Sequence, residues 1–138
     1  MKGGDRIIAP SDMALPVCAV PLSVGPLLIK NAAATFPITN RFGHAIRVLR
    51  VESMVTVVPS TGDVTVTVKN HGAAATLGTL TITQSGSAVG DKDTTGELAQ
   101  TDNNIIAEGE DVCLVVDGAA DAGEAVYTIW CVPCYDNG

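Results

Sequence analysis

Aromatic side chains are nearly missing from this chain: one Trp, two Tyr and two Phe, 4% of its residues. The core must therefore be built from Val, Ile, Leu and Ala, and a sugar-binding face of several exposed rings has little to draw on. Basic residues are scarce as well. Eight Lys and Arg against fifteen Asp and Glu leave a formal charge of −7, the wrong sign for nucleic-acid phosphates or an anionic membrane surface. No apolar run approaches the roughly 20 residues that a bilayer-spanning helix needs. The opening MKGGDRIIAPSDM places Asp and Pro where a signal peptide has its apolar centre, so the chain reads as made in the cytoplasm and soluble. Cysteine is present but sparse. Cys18, Cys113, Cys131 and Cys134 are unevenly spaced, and a chain of this length buries roughly 70% of its unfolded surface without a disulfide framework. Walker, GxGxxG and GxSxG motifs are all lacking, so no nucleotide-binding or hydrolase signature is present.

What is there is strand pattern. In Asp63–Lys69, Val64, Val66 and Val68 alternate with Thr65, Thr67 and Lys69, the period of a half-buried antiparallel strand. Leu80 and Ile82 against Thr79, Thr81 and Thr83 repeat it. Further strands are expected at Thr35–Thr39, at His44–Val58 with a bulge near Ser53–Met54, near Glu97–Ala99, and at Asn104–Ala107, Asp111–Asp117 and Glu124–Pro133. Turn residues separate them, and Ser85–Asn104 is polar and Gly-rich, the composition of a long loop. About seven or eight short strands at roughly 8–12-residue spacing imply an all-β, antiparallel β-sandwich, jelly-roll-like domain over residues 31–138. Residues 1–30 differ. They carry Pro10, Pro16, Pro21 and Pro26 among apolar residues, which describes an extended N-terminal arm lying at an edge, on its own domain or on a neighbour.

The candidate chemistry is thin. Cys131-Val-Pro-Cys134 ends a strand, with no helix to lower a thiol pKa and no second CxxC to complete a zinc site, so it reads as incidental thiols. Glu108, Glu110, Asp111, Asp117, Asp121 and Glu124 gather around two neighbouring turns where calcium is conceivable, though the EF-hand spacing is absent. His44 and His71 have no nucleophile motif beside them, and Trp130 is expected in the core. Arg41, Arg47 and Arg50 place three of the eight basic residues within ten positions, a docking patch for carboxylates or a solvated strand edge. The apolar arm residues Leu15, Val17, Val20, Leu22 and Leu27 are the other candidate partner contacts. No catalytic residue, metal or cofactor is expected.

Phe36-Pro-Ile-Thr39, Ala45–Val51, Pro59–Gly72 and Ile105–Gly118, taken in order, resemble the small β-sandwich domains of tailed-bacteriophage virions. In those domains a VTVKNG-like hairpin precedes a polar loop, and a Gly-Asp turn leads into a strand ending in Asp-Gly. Here His71 stands between Asn70 and Gly72, and Glu110 between Gly109 and Asp111. The resemblance covers roughly residues 31–138 and implies a jelly-roll capsid decoration (cement) protein. It would be a non-enzymatic homotrimer on the outer capsid surface of the virion, with the major capsid protein as partner. The family shares no catalytic motif, so no residue role carries over. A receptor- or glycan-binding module of a tail or fibre is the alternative, and an enzyme with converging carboxylates or a reactive Cys131–Cys134 pair is the third reading.

Overall fold

The computed structural model describes residues 19–28 and 33–134. Nine strands carry the fold: β1 (Val20–Leu28), β2 (Ala34–Thr39), β3 (Ile46–Ser60), β4 (Val64–Asn70), β5 (Ala75–Ile82), β6 (Lys92–Thr94), β7 (Ile105–Ile106), β8 (Asp111–Val116) and β9 (Ala122–Pro133). One sheet has the order β1-β9-β3-β6, with β7 also on β3, and the other the order β2-β8-β4-β5. All pairings are antiparallel. With β7 set aside, the strands divide between two four-stranded sheets in jelly-roll order, as the strand pattern implies.

The alternation that defines the strands also makes the core. Val64, Val66 and Val68 from β4, Leu80 and Ile82 from β5, and Val112, Leu114 and Val116 from β8 face Val48, Val51 and Val55 from β3 across the interior. Ala125, Tyr127, Ile129 and Cys131 complete the β9 side. Each such aliphatic side chain contributes about 1.5–3 kcal/mol on burial. Among the described residues the fully buried ring is Tyr127, not Trp130. Trp130 has the opposite parity on β9 and lies on the outer face, half-buried.

Two expectations are corrected here. The alternation of β3 does not slip at Ser53–Met54: Ser53 points in and Met54 out, in phase with Val51 and Val55. The register breaks instead between Val48 and Arg50 and again beyond Val55. Hydropathy misleads at this pair because a polar residue is buried and an apolar one exposed. The short strand expected near Glu97–Ala99 forms earlier, at Lys92–Thr94, where the backbone pairs with Glu52–Met54. Gly96 then turns the chain at positive φ.

Residues 90–106, most of them within the expected Ser85–Asn104 loop, are a strap along the free edge of β3. Gly90 N–H donates to the Val55 carbonyl (2.8 Å), Thr95 N–H to Val51 (2.9 Å) and Leu98 N–H to Leu49 (2.9 Å). Three buried asparagines hold its end. Asn104 Nδ2 donates to the Val48 carbonyl (3.1 Å), Asn70 Nδ2 to Asn103 and Ile105 (2.9 and 3.2 Å), and Asn40 Nδ2 to Ile106 (3.0 Å). A 3-10 turn, Asp102–Asn104, is capped by Thr101, whose hydroxyl accepts from Asn103 N–H.

Of the proposed arm, Val20–Leu28 is the edge strand of the first sheet, in register with Cys131 to Glu124 of β9. Pro21 and Pro26 sit on this edge, and the register breaks between Val24 and Leu27, as proline requires of a strand. Residues 1–18 and 29–30 lie outside the described residues.

Candidate docking surface

The most elaborated surface is the outer face of the β1-β9-β3-β6 sheet. Strand register sets its rows: Pro21 beside Trp130 beside Arg50, Ser23 beside Thr128 beside Glu52 beside Thr94, and Val126 beside Met54 beside Lys92. The register break after Val48 puts Arg50 on this face. Without it, strict alternation from Val48 would turn Arg50 inward.

At the centre, one guanidinium organises three other side chains. Arg50 Nε donates to Glu52 Oε2 (3.1 Å) and Nη1 to Glu97 Oε1 (3.0 Å), the latter from the strap. Its Cζ stands 5.2 Å from the Trp130 ring centroid, within cation–π range. Trp130 Nε1–H donates to the other Glu52 oxygen at 3.0 Å. The indole bond, joined by the bonds and charge of Arg50, holds the Glu52 carboxyl below its ordinary range against the opposing effect of burial. Both Glu52 oxygens, the indole N–H and two of the three Arg50 nitrogens are engaged in this cluster, while Met54 and Val57 on the same face are 39% and 46% exposed. Fixed rings and guanidinia beside apolar contacts are the composition of interface hot spots.

The predicted site residues distribute as follows. Arg47 shares this face, opposite Val132, and donates from Nη1 to the Thr101 carbonyl (3.3 Å). Arg41 lies exposed on the β2–β3 loop, off the sheet. Leu22 and Leu27 pack against the protein's own core, whereas Val20 is exposed at the start of β1. Leu15 and Val17 lie outside the described residues.

The other candidates do not assemble. Glu108, Glu110 and Asp111 belong to the turn before β8, and Asp117 and Asp121 to the turn after it, so roughly 20 Å of strand separates the two groups. The turns adjacent in sequence are opposite ends of the sandwich. Asp117 is occupied by Thr65 and Ala119 N–H groups, and Glu108 by Gly43 N–H. No cluster of three metal-ligating side chains occurs among the described residues. Burial raises the Cys113 and Cys131 thiol pKa values, which keeps both protonated near neutrality. Cys113 lies in a cavity of about 260 Å³ on the opposite sheet with Thr35, Lys69 and His71. A smaller apolar pocket of about 50 Å³ gathers Val20, Phe42, His44 and Ile46 at the end of β1, with the Phe42 and His44 rings stacked at 6.2 Å.

Sequence reasoning missed the Trp130 cluster. Its signal was present in the parity of β9, where Thr128 shares the face of Trp130 while Tyr127 and Ile129 take the other.

No protein-family profile matches the chain, and no curated protein does. Among solved structures the chain is similar to a carbohydrate-binding module, CsCBM6-3 from Clostridium stercorarium in complex with cellobiose. The identity is 20%, the TM-score 0.40, and the match covers 83% of this chain and 87% of the other. A likeness at that level decides neither origin nor ligand.

Proposed function

We propose that this protein is a non-catalytic docking domain that binds the outer surface of a bacteriophage head and reinforces it. The observation that carries a docking role is the Trp130–Arg50–Glu52–Glu97 cluster: a patch cross-linked by its own hydrogen bonds and cation–π contact, with the half-buried Trp130 ring at the surface and exposed Met54 on the same face. Such a patch loses little side-chain entropy when covered. The choice of a shell protein as partner rests on the resemblance of residues 31–138 to virion β-sandwiches.

Co-sedimentation with mature, undecorated heads tests the reading. Saturable pelleting at a fixed ratio to the major shell protein supports it, and a well-folded protein left in the supernatant refutes it. Truncation must stop at residue 18, because deletion through residue 30 removes β1 from the sheet.

A second reading is favoured by one observation. Trp130 is on the surface, so the face offers a ring flanked by a carboxylate and a guanidinium, a platform on which a glycan could stack. Retardation on polysaccharide-containing gels, abolished by Trp130→Ala, with no pelleting on heads, would select it.

A further inference from the structure

A sandwich of two open sheets has four edges, each a row of unpaired backbone N–H and C=O groups that invites another strand. Three of the four are defended here. The β1 edge carries Pro21 and Pro26 and a register break. The β2 edge is interrupted by Pro37, which has no N–H to offer. The β6 edge is three residues long and charged, with Lys92 and Asp93.

The fourth edge has none of these devices. β5 runs eight residues, ATLGTLTI, without proline or charge. Its inner neighbour is β4. Among the described residues no other segment's backbone hydrogen-bonds to it. Thr76, Thr79 and Thr81 are exposed along it, while Leu80 and Ile82 anchor it in the core. The strand is held firmly, with Leu98 and Thr95 of the strap packed against Gly78, and its outer-face threonines are exposed.

We infer that β5 is a self-association edge, pairing antiparallel with β5 of a second copy about a two-fold axis at Leu80 to make one continuous eight-stranded sheet. Two properties select a second copy as occupant. The chain carries a net charge of −7, yet no charge lies on β5, so two copies meet without repulsion where they touch. The edge is also self-complementary: with the axis at Leu80, Thr79 of each copy opposes Thr81 of the other, as Thr67 opposes Thr79 and Thr65 opposes Thr81 within the hairpin. A closed ring of three requires β5 to pair with a different edge of its neighbour, and the other three edges are defended. The edge geometry therefore points to a two-fold pair where the virion resemblance implies a homotrimer. The surface is separate from the Trp130 face and does not depend on it.

Sedimentation velocity of the full chain over a wide concentration range tests this. The expected result is a reversible monomer–dimer equilibrium, weakened at least tenfold in Thr79→Lys/Thr81→Lys and unchanged in Trp130→Ala. A wild-type protein that stays monomeric, or forms trimers, overturns the inference, as does a double variant that folds and dimerises undiminished. Hydrogen exchange on the wild type reads the same point without a variant. Amides within 75–82 should gain protection as concentration rises, and protection independent of concentration overturns the pairing.

Discussion

Ser53 and Tyr127 are register partners across β3 and β9, both buried in the core, and neither hydroxyl has a hydrogen-bond partner among the described residues. Two unsatisfied hydroxyls in an aliphatic interior oppose folding, since an unmade buried bond costs about 1–3 kcal/mol. Tyr127→Phe keeps the ring and removes one of them. It should be neutral or stabilise by about 1 kcal/mol, read from urea denaturation. A clear loss of stability would mean that the hydroxyl is satisfied after all.

The same residue sets an alkaline limit. Burial raises the Tyr127 pKa well above its ordinary value of 10.0. Between the two values the unfolded chain releases a proton that the folded chain keeps, so stability falls as pH rises above about 10. Tyr127→Phe should flatten that part of the profile. Equal alkaline slopes in the two proteins would contradict this assignment.

Glu52 has the opposite sign. Its folded pKa is lowered, first by the Trp130 indole bond and then by Arg50, so its contribution is present above the unfolded value and lost as pH falls through the folded one. Thermal unfolding should therefore show a decline below about pH 4.5 that is smaller in Glu52→Gln. The carboxylate is about one-third exposed, which keeps the effect modest.

On the docking face, Trp130→Ala should weaken shell binding about 10–30-fold, roughly 1.4–2 kcal/mol. Thr35→Ala, exposed on β2 of the opposite sheet, should leave binding unchanged. Equal losses in both variants would indicate general destabilisation rather than a lost contact.

Gly78 tests the packing of the strap. A Cβ added there would meet Leu98 Cδ2 at 2.5 Å, so Gly78→Ala should destabilise by about 1–3 kcal/mol. Leu98→Ala in the same chain should recover part of that loss in a double-mutant cycle. Strictly additive losses would show that the two sites do not press on each other.

Much of this architecture was legible because the strands carry their own parity. Val64, Val66 and Val68, then Leu80 and Ile82, point inward as their spacing dictates. The reading failed where one residue's chemistry opposes its place: Ser53 inside, Met54 outside, Trp130 half out. It failed also where a segment is held by distant partners. Nothing within residues 90–106 announces that their backbone bonds lie on β3, or that Asn40 and Asn70 pin their end. The candidate site was less legible still, since Arg50, Glu97 and Trp130 meet only through sheet order. Arg50 was singled out as basic, but its two carboxylates make it part of a closed network rather than a free charge.

The pairing of Val20 with Cys131 spans 111 residues, and that span has a temporal meaning. During synthesis β1 emerges first of the described strands and its neighbour β9 last of them, so Leu22, Val24 and Leu27 wait in water until β9 is made. Transiently exposed strands of this kind are where nascent chains associate wrongly. The prolines that blunt the finished edge thus protect the unfinished chain as well. Replacing Pro21 by a strand-forming residue should harm yield from the ribosome more than it harms the folded protein.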